Sequence, residues 1–139
     1  MSDFKKLRVW REAHKLTLAT IRTCDDVVGS VGSIVRNQLV RATMSVPANI
    51  AEGSAKRSDR EFARFVRIAL GSATEAENHM ILACDLGLID EKEYNALDKQ
   101  MQDVQKMLAG LERKLPSDAS STAKRPARSE RRAARARGE

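Results

Sequence analysis

"VPANIAEGSAKRSDREF", residues 46–62, puts a proline inside a run that otherwise reads as helix, then a glycine, then three cations, then a second helix start. Pro47 lacks a backbone donor, and its ring crowds the carbonyl four residues back, at Thr43. The reading is one kinked helix running to Glu52. Gly53 is predicted to stop it, because glycine tolerates positive φ. Ser58-Asp59-Arg60-Glu61 is a capping-box pattern: the Ser58 hydroxyl accepts from the backbone of Glu61, and Glu61 reaches back. Two helices joined by a short turn follow, with Lys56, Arg57 and Arg60 at the seam.

Working outward, the upstream helix of this pair begins near Ser30 or Ser33. "GSVGS" (29–33) separates it from a first helix predicted from Phe4 to Val28. The apolar positions of that first helix, Trp10, Thr17, Ile21, Cys24 and Val28, recur at helical spacing. Gly29 and Gly32 do not make a phosphate loop, since no Gly-Lys-Ser/Thr follows. The third helix runs from Ser58 to Leu86, with Gly87 as its stop. Its stripe is Phe62, Val66, Ala69, Ala73, Ala76, Met80 and Ala83. Phe65, Ile68 and Leu70 widen the apolar surface, as expected of a helix buried on several sides, and so of a subunit interface. The fourth helix opens on Asp90-Glu91-Lys92-Glu93. Tyr94, Leu97, Met101, Val104, Leu108, Leu111 and Leu115 then form a coiled-coil-like seam that Pro116 ends. Short connections between long helices predict an all-α, antiparallel up-down four-helix bundle over residues 1–115. Residues 116–139, "PSDASSTAKRPARSERRAARARGE", carry no large apolar side chain and are predicted to form a disordered basic tail.

The 139-residue chain has a net charge of +6, unevenly distributed. Residues 1–67 hold 13 Lys/Arg against 7 Asp/Glu, residues 68–115 hold 5 against 9, and residues 116–139 hold 7 against 3. This asymmetry points to a polyanion partner, or orients identical subunits against one another. No signal segment or membrane-length apolar run is present, and Cys24 and Cys84 stand far apart outside any C-x-x-C. A cytoplasmic protein with reduced cysteines and no membrane association is expected.

The candidate binding residues are cations. Arg57, Arg60, Arg64 and Arg67 fall at spacings of 3, 4 and 3. Arg8, Arg11, Lys15 and Arg22 form a similar stripe on the first helix. Arg41 lies on the second, and Lys124, Arg125, Arg128, Arg131, Arg132, Arg135 and Arg137 fill the tail. Arginine matches phosphate bidentately, and such contacts give affinity without reading sequence. The alternative is a set of solvated helix faces. With aromatics at 4% of the chain, a base-stacking platform is not expected. Di-iron bundles need Glu-x-x-His on two helices; here Glu75 and His79 are four apart and His14 stands alone, so neither metal nor other cofactor is expected. No Ser, Cys or His has an activating neighbourhood, so no enzyme activity is expected. Asn49, two residues after Pro47, is expected to satisfy a carbonyl freed by the proline.

The chain resembles the bacterial four helix bundle protein family, whose best-known members are encoded in intervening sequences of 23S ribosomal RNA genes. The resemblance rests on Phe4, Leu7-Arg8-Val9-Trp10 and Ala13; on Gln38-Leu39, Arg41-Ala42 and Ser45-Val46-Pro47-Ala48-Asn49-Ile50-Ala51-Glu52-Gly53; and on Arg57, Ser58, Glu61-Phe62, Ile68-Ala69, Gly71-Ser72, Glu75, Glu77 and Leu86-Gly87. It covers roughly residues 4–115. Val40 stands where the family usually has the first of two arginines, and the basic tail is not a general family feature. The resemblance implies a homopentamer. More distantly, it extends to the accessory protein of diversity-generating retroelements, which implies work beside a reverse transcriptase. The expected function is a non-enzymatic, oligomeric protein that binds RNA or DNA backbone through basic helix faces and the tail. The alternative is an oligomeric scaffold for another protein, with no direct nucleic-acid role.

Overall fold

The computed structural model describes residues 3–116. A 3-10 turn, Phe4–Lys6, leads into α1 (Arg8–Thr23), α2 (Ser30–Ser54), α3 (Asp59–Asp85) and α4 (Glu91–Lys114). There is no strand among the described residues. The helices form a square bundle in which α1 and α3 each pack on both α2 and α4. Cross-helix contacts give the directions: Thr17 meets Thr43, Ser45 meets Ser72, and Gly53 meets Phe65. Moving forward along α2 moves backward along its neighbours, from Arg36 on Val27 to Thr43 on Thr17 and from Ser45 on Ser72 to Gly53 on Phe65, so α1, α2 and α3 alternate up and down.

The core holds Leu16, Leu39, Ile50, Met80, Leu97, Met101 and Leu108, all fully buried. Each large apolar side chain contributes about 1.5–3 kcal/mol by leaving water. α3 supplies mostly small residues, Ala63, Ala69, Ala73, Ala76 and Ala83. These bury little area themselves but let the neighbouring helices approach. Among the described residues no buried side-chain nitrogen or oxygen lacks a partner. The buried hydroxyls of Thr17, Thr20 and Thr43 donate back to the carbonyls of Ala13, Leu16 and Leu39 at 2.8–2.9 Å.

Several sequence expectations need correction. α1 ends at Thr23, five residues before Val28. Asp25 and Asp26 follow its last turn, where the helix carbonyls repel negative charge. The chain then turns through Gly29, whose φ of 93° favours glycine. The buried stripe of α1 is Val9, Ala13, Leu16, Thr17 and Thr20. Ile21 is 42% exposed and Val28 76% exposed. Of the expected positions Thr17 and Cys24 are buried and Trp10 packs against the core, while spacing alone also took in the outward Ile21 and Val28.

Gly53 is not a stop. It lies within α2, has a helical backbone and is buried against α3. α2 continues through Pro47 as helix. The Thr43 carbonyl, which Pro47 cannot serve, lies 3.4 Å from the Thr17 hydroxyl of α1. Asn49 does not reach it; its amide donates to the Ser45 carbonyl at 2.8 Å and to the Ser45 hydroxyl at 3.0 Å.

The helix ends follow capping chemistry. Ser58 accepts from the Glu61 N–H at 3.2 Å, the forward half of the box expected there. The complete reciprocal box is at α4: Asp90 accepts from the Glu93 N–H, and Glu93 from the Asp90 N–H. We expect Asp90→Ala to cost about 1 kcal/mol, seen as a lower urea midpoint. α3 stops at Gly87, with φ of 72°, and the Leu88 N–H donates to the Ala83 carbonyl while the Gly87 N–H donates to Cys84. That crossed pair of bonds closes a helix terminus around a left-handed glycine. Gly110, by contrast, sits mid-helix with only an Arg113 nitrogen at 3.8 Å from where a Cβ would stand. Gly110→Ala should therefore raise stability by about 0.5–1 kcal/mol in the same titration.

Candidate nucleic-acid interface

The turn between α2 and α3 carries the candidate site to one end of the bundle. Arg57 lies in the turn itself, before α3 begins at Asp59. Arg60, Arg64 and Arg67 then share one face of α3; Arg60 and Arg64 are exposed and Arg67 half-buried. The face therefore holds three of the four predicted arginines, with Arg57 at its foot. Arg57 and Arg64 have no hydrogen-bond or ion-pair partner among the described residues.

Other cations are already engaged. The Arg11 guanidinium donates to the carbonyls of Lys6 at 2.7 Å and Lys5 at 3.3 Å, closing the N-terminal turn. Lys15 pairs with Glu12 at 3.4 Å, and Lys56 sits 5.1 Å over the Phe65 ring. Arg36 donates to the Val27 carbonyl at 2.9 Å and so pins the α1–α2 connection. Arg41 does not join the α3 face. It lines a surface hollow of about 460 Å³ with Ile21, Cys24, Arg36 and Met44. The register set by Ser45 and Ser72 puts it several turns from Arg64. Lys124, Arg125, Arg128, Arg131, Arg132, Arg135 and Arg137 lie outside the described residues.

The motif residues beside the turn do structural work. Ser45 and Ser72 share a hydrogen bond of 2.9 Å across the α2–α3 seam, and Asn49 holds Ser45. Pro47 is buried, Gly53 admits Phe62 and Phe65, and Ser58 caps α3. Glu52 and Glu61 are exposed. The sequence reading missed the tight Gly53 contact. Its signal was two phenylalanines, three apart, just across a short turn from a helical glycine.

The acidic and sulfur groups show no assembled chemistry. Glu75 lies 3.4 Å from His79, while Glu77 accepts from Gln105 at 2.6 Å on α4. Among the described residues no group of three or more His, Cys, Asp or Glu is placed to hold a metal ion. Cys24 and Cys84 are free thiols. Burial pushes the Cys24 thiol up; the Arg36 charge opposes this and Glu93 adds to it. Thiolate is the reactive form. Cys24 should therefore resist a chromogenic disulfide reagent at neutral pH and react only as urea unfolds the chain. No helix among the described residues is long and apolar enough to cross a membrane.

Four amphipathic helices around one core, with basic residues displayed at a turn, define a four-helix bundle protein. The chain belongs to the 23S rRNA-intervening sequence protein family, whose sequence pattern matches residues 5–110. In shape it is similar to the crystal structure of a protein of unknown function from the S23 ribosomal protein family of Bacteroides thetaiotaomicron. The TM-score is 0.69 at 21% identity, over 74% of this chain and 96% of that one. Among curated proteins, none matches the chain.

Proposed function

We propose that this is a non-enzymatic, oligomeric, cytoplasmic protein that binds RNA or DNA backbone through the α3 arginine face and the basic C-terminal segment. One observation carries the reading: Arg57 and Arg64 stand exposed and unpartnered among the described residues, on the same end of the bundle as Arg60 and Arg67. The name of the family, with its reference to ribosomal RNA genes, supports a nucleic-acid context. The assembly is a homopentamer by family resemblance. Ring assembly repeats each arginine face, and contacts that are weak singly then add by raised effective concentration. The test is whether the purified protein retains nucleic acid through a high-salt wash and rebinds single-stranded RNA and duplex DNA at low salt.

A second reading is favoured by the exposed apolar side chains, Ile34, Met44 and Leu86 among them. In it the oligomer is a scaffold for another protein, such as a reverse transcriptase. Absence of any nucleic-acid binding at low salt would decide for the scaffold.

A further inference from the structure

The two ends of the bundle carry opposite charge. α4 returns beside α3, where Gln105 donates to Glu77. Counted out from the Thr17–Thr43, Ser45–Ser72 and Glu77–Gln105 contacts at about 1.5 Å per residue, Arg8, Gly53, Phe65 and Lys114 reach one level to within about one helical turn. The N-terminal turn, the α2–α3 turn and the last turn of α4 therefore share one end. Segments 3–8, 54–60 and 112–116 hold eight Lys/Arg against three Asp/Glu. At the opposite end, segments 24–29 and 85–91 hold five Asp/Glu and no Lys or Arg.

The basic end is held in shape. Arg11 fixes the N-terminal turn through the carbonyls of Lys5 and Lys6, and the Phe4 ring meets Trp10 edge-on at 5.0 Å. Phe4 also shares a hollow with Ala48 and Ala51, which sets this turn against the end of α2. The side chains of Lys5, Lys6, Arg8, Arg57, Arg113 and Lys114 are exposed and have no hydrogen-bond or ion-pair partner among the described residues. Helix electrostatics accounts for only some of them. Arg113 and Lys114 suit the carbonyl end of α4. Arg8, however, opens α1, whose first turn holds no acid, at the helix end that disfavours positive charge. A cation placed against the helix dipole, beside others without partners, belongs to a surface matched to an external polyanion.

We propose that nucleic-acid backbone crosses this end of the bundle, touching the N-terminal turn and the last turn of α4 as well as Arg57. This deepens the nucleic-acid reading above and rests on it. Residue 116 lies at the same end, so the end surface and the basic segment after it meet one strand. The acidic opposite end repels that strand and so fixes which end is presented. The rings nearby, Phe4, Trp10, Phe62 and Phe65, are half-buried. Contact is therefore to phosphate rather than to stacked bases, and carries no base preference.

The test neutralises two cations at a time in the full chain: Lys6→Gln with Arg8→Gln, and Arg113→Gln with Lys114→Gln. Lys92→Gln with Lys99→Gln makes an equal change of charge toward the other end. Binding of single-stranded oligouridylate and of a mixed-sequence DNA duplex is followed against salt, with circular dichroism melts alongside. Each pair at the basic end is expected to reduce the log–log salt slope by about 1.4 on the single strand, about 0.7 for each cation, and by about 1.8 on the duplex. The Lys92 and Lys99 pair is expected to leave the slope unchanged. The Lys6 and Arg8 variant should also melt at or above the wild-type temperature, because it takes a cation away from a helix N-terminus. That combination separates lost phosphate contact from lost structure. Equal losses from all three pairs would show that net charge alone matters and overturn the proposal. Slopes unchanged by both basic-end pairs, in a wild type that binds, overturn it too and leave the α3 face and the segment after 116 as the site. A wild type that binds neither ligand at low salt removes the nucleic-acid reading itself.

Discussion

Gly53→Ala is expected to destabilise the bundle by roughly 1–2 kcal/mol, although alanine is the better helix former. Propensity alone predicts the opposite sign, a gain of about 1 kcal/mol for glycine to alanine inside a helix. The new Cβ, however, stands 2.5 Å from the Phe65 Cβ and 2.9 Å from the Phe62 ring. Carbon atoms that do not bond settle at about 3.5–4.0 Å. A ring tip can swing aside, but the Phe65 Cβ is fixed to its backbone. α2 and α3 must therefore separate next to the turn that joins them. Overpacking of this kind costs typically about 1–3 kcal/mol, and more if larger side chains are forced in. For a domain of this size the net loss lowers the melting temperature by about 5–10 °C. Gly110→Ala, in open space, is the control with the opposite sign. A Gly53→Ala protein melting at or above the wild-type temperature would show that the two helices are free to move apart.

The same glycine shows where sequence reasoning worked and where it did not. The four helices were legible because local signals mark them: the Ser58 and Asp90 caps, Gly87, Pro116, and the strict 3 and 4 spacing of Leu97, Met101, Val104 and Leu108. Those signals act within one or two turns. Gly53 carries the same local signal whether it ends a helix or admits a neighbour, and only the approach of Phe65 from α3 decides between the two. α1 posed a similar problem. Trp10 and Ile21 stand at helical spacings from Thr17, and so do Ala13 and Thr20. Which strip faces inward depends on α2 and α4. Asn49 was expected to satisfy the carbonyl freed by Pro47, but its amide donates to Ser45. The carbonyl freed by Pro47 is approached by Thr17, a residue 26 positions from Thr43. For the candidate site, helical spacing was enough to gather Arg60, Arg64 and Arg67. It could not show that Arg11 and Arg36 are spent on backbone carbonyls, because those bonds depend on turns.

Removal of residues 116–139 is expected to lower nucleic-acid affinity more than any change in the folded body, and to flatten its salt dependence. The truncation takes away seven cations and three acids but no large apolar side chain. Helix content and assembly should persist, since the described core is built from Val9 to Leu108. Every phosphate that no longer meets a cation reduces the log–log salt slope by about 0.7 for single strands and about 0.9 for duplex. If all seven cations meet phosphate in the full chain, the slope for single-stranded RNA falls by about 5 on truncation. The weakening should be similar for unrelated sequences, because contacts to backbone carry no base information. In the truncated protein, Arg57→Ala with Arg64→Ala then isolates the folded face. These two have no partner among the described residues, so their removal breaks no bond there. The double variant should melt like its parent and show a slope smaller by a further 1.4 or so, about 0.7 for each arginine, on single strands. Unchanged binding in the double variant would confine nucleic-acid contact to the C-terminal segment. An unchanged slope on truncation would place it wholly on the α3 face. The absence of binding by all three proteins at low salt would leave the exposed arginines as a solvated surface and the scaffold as the better account.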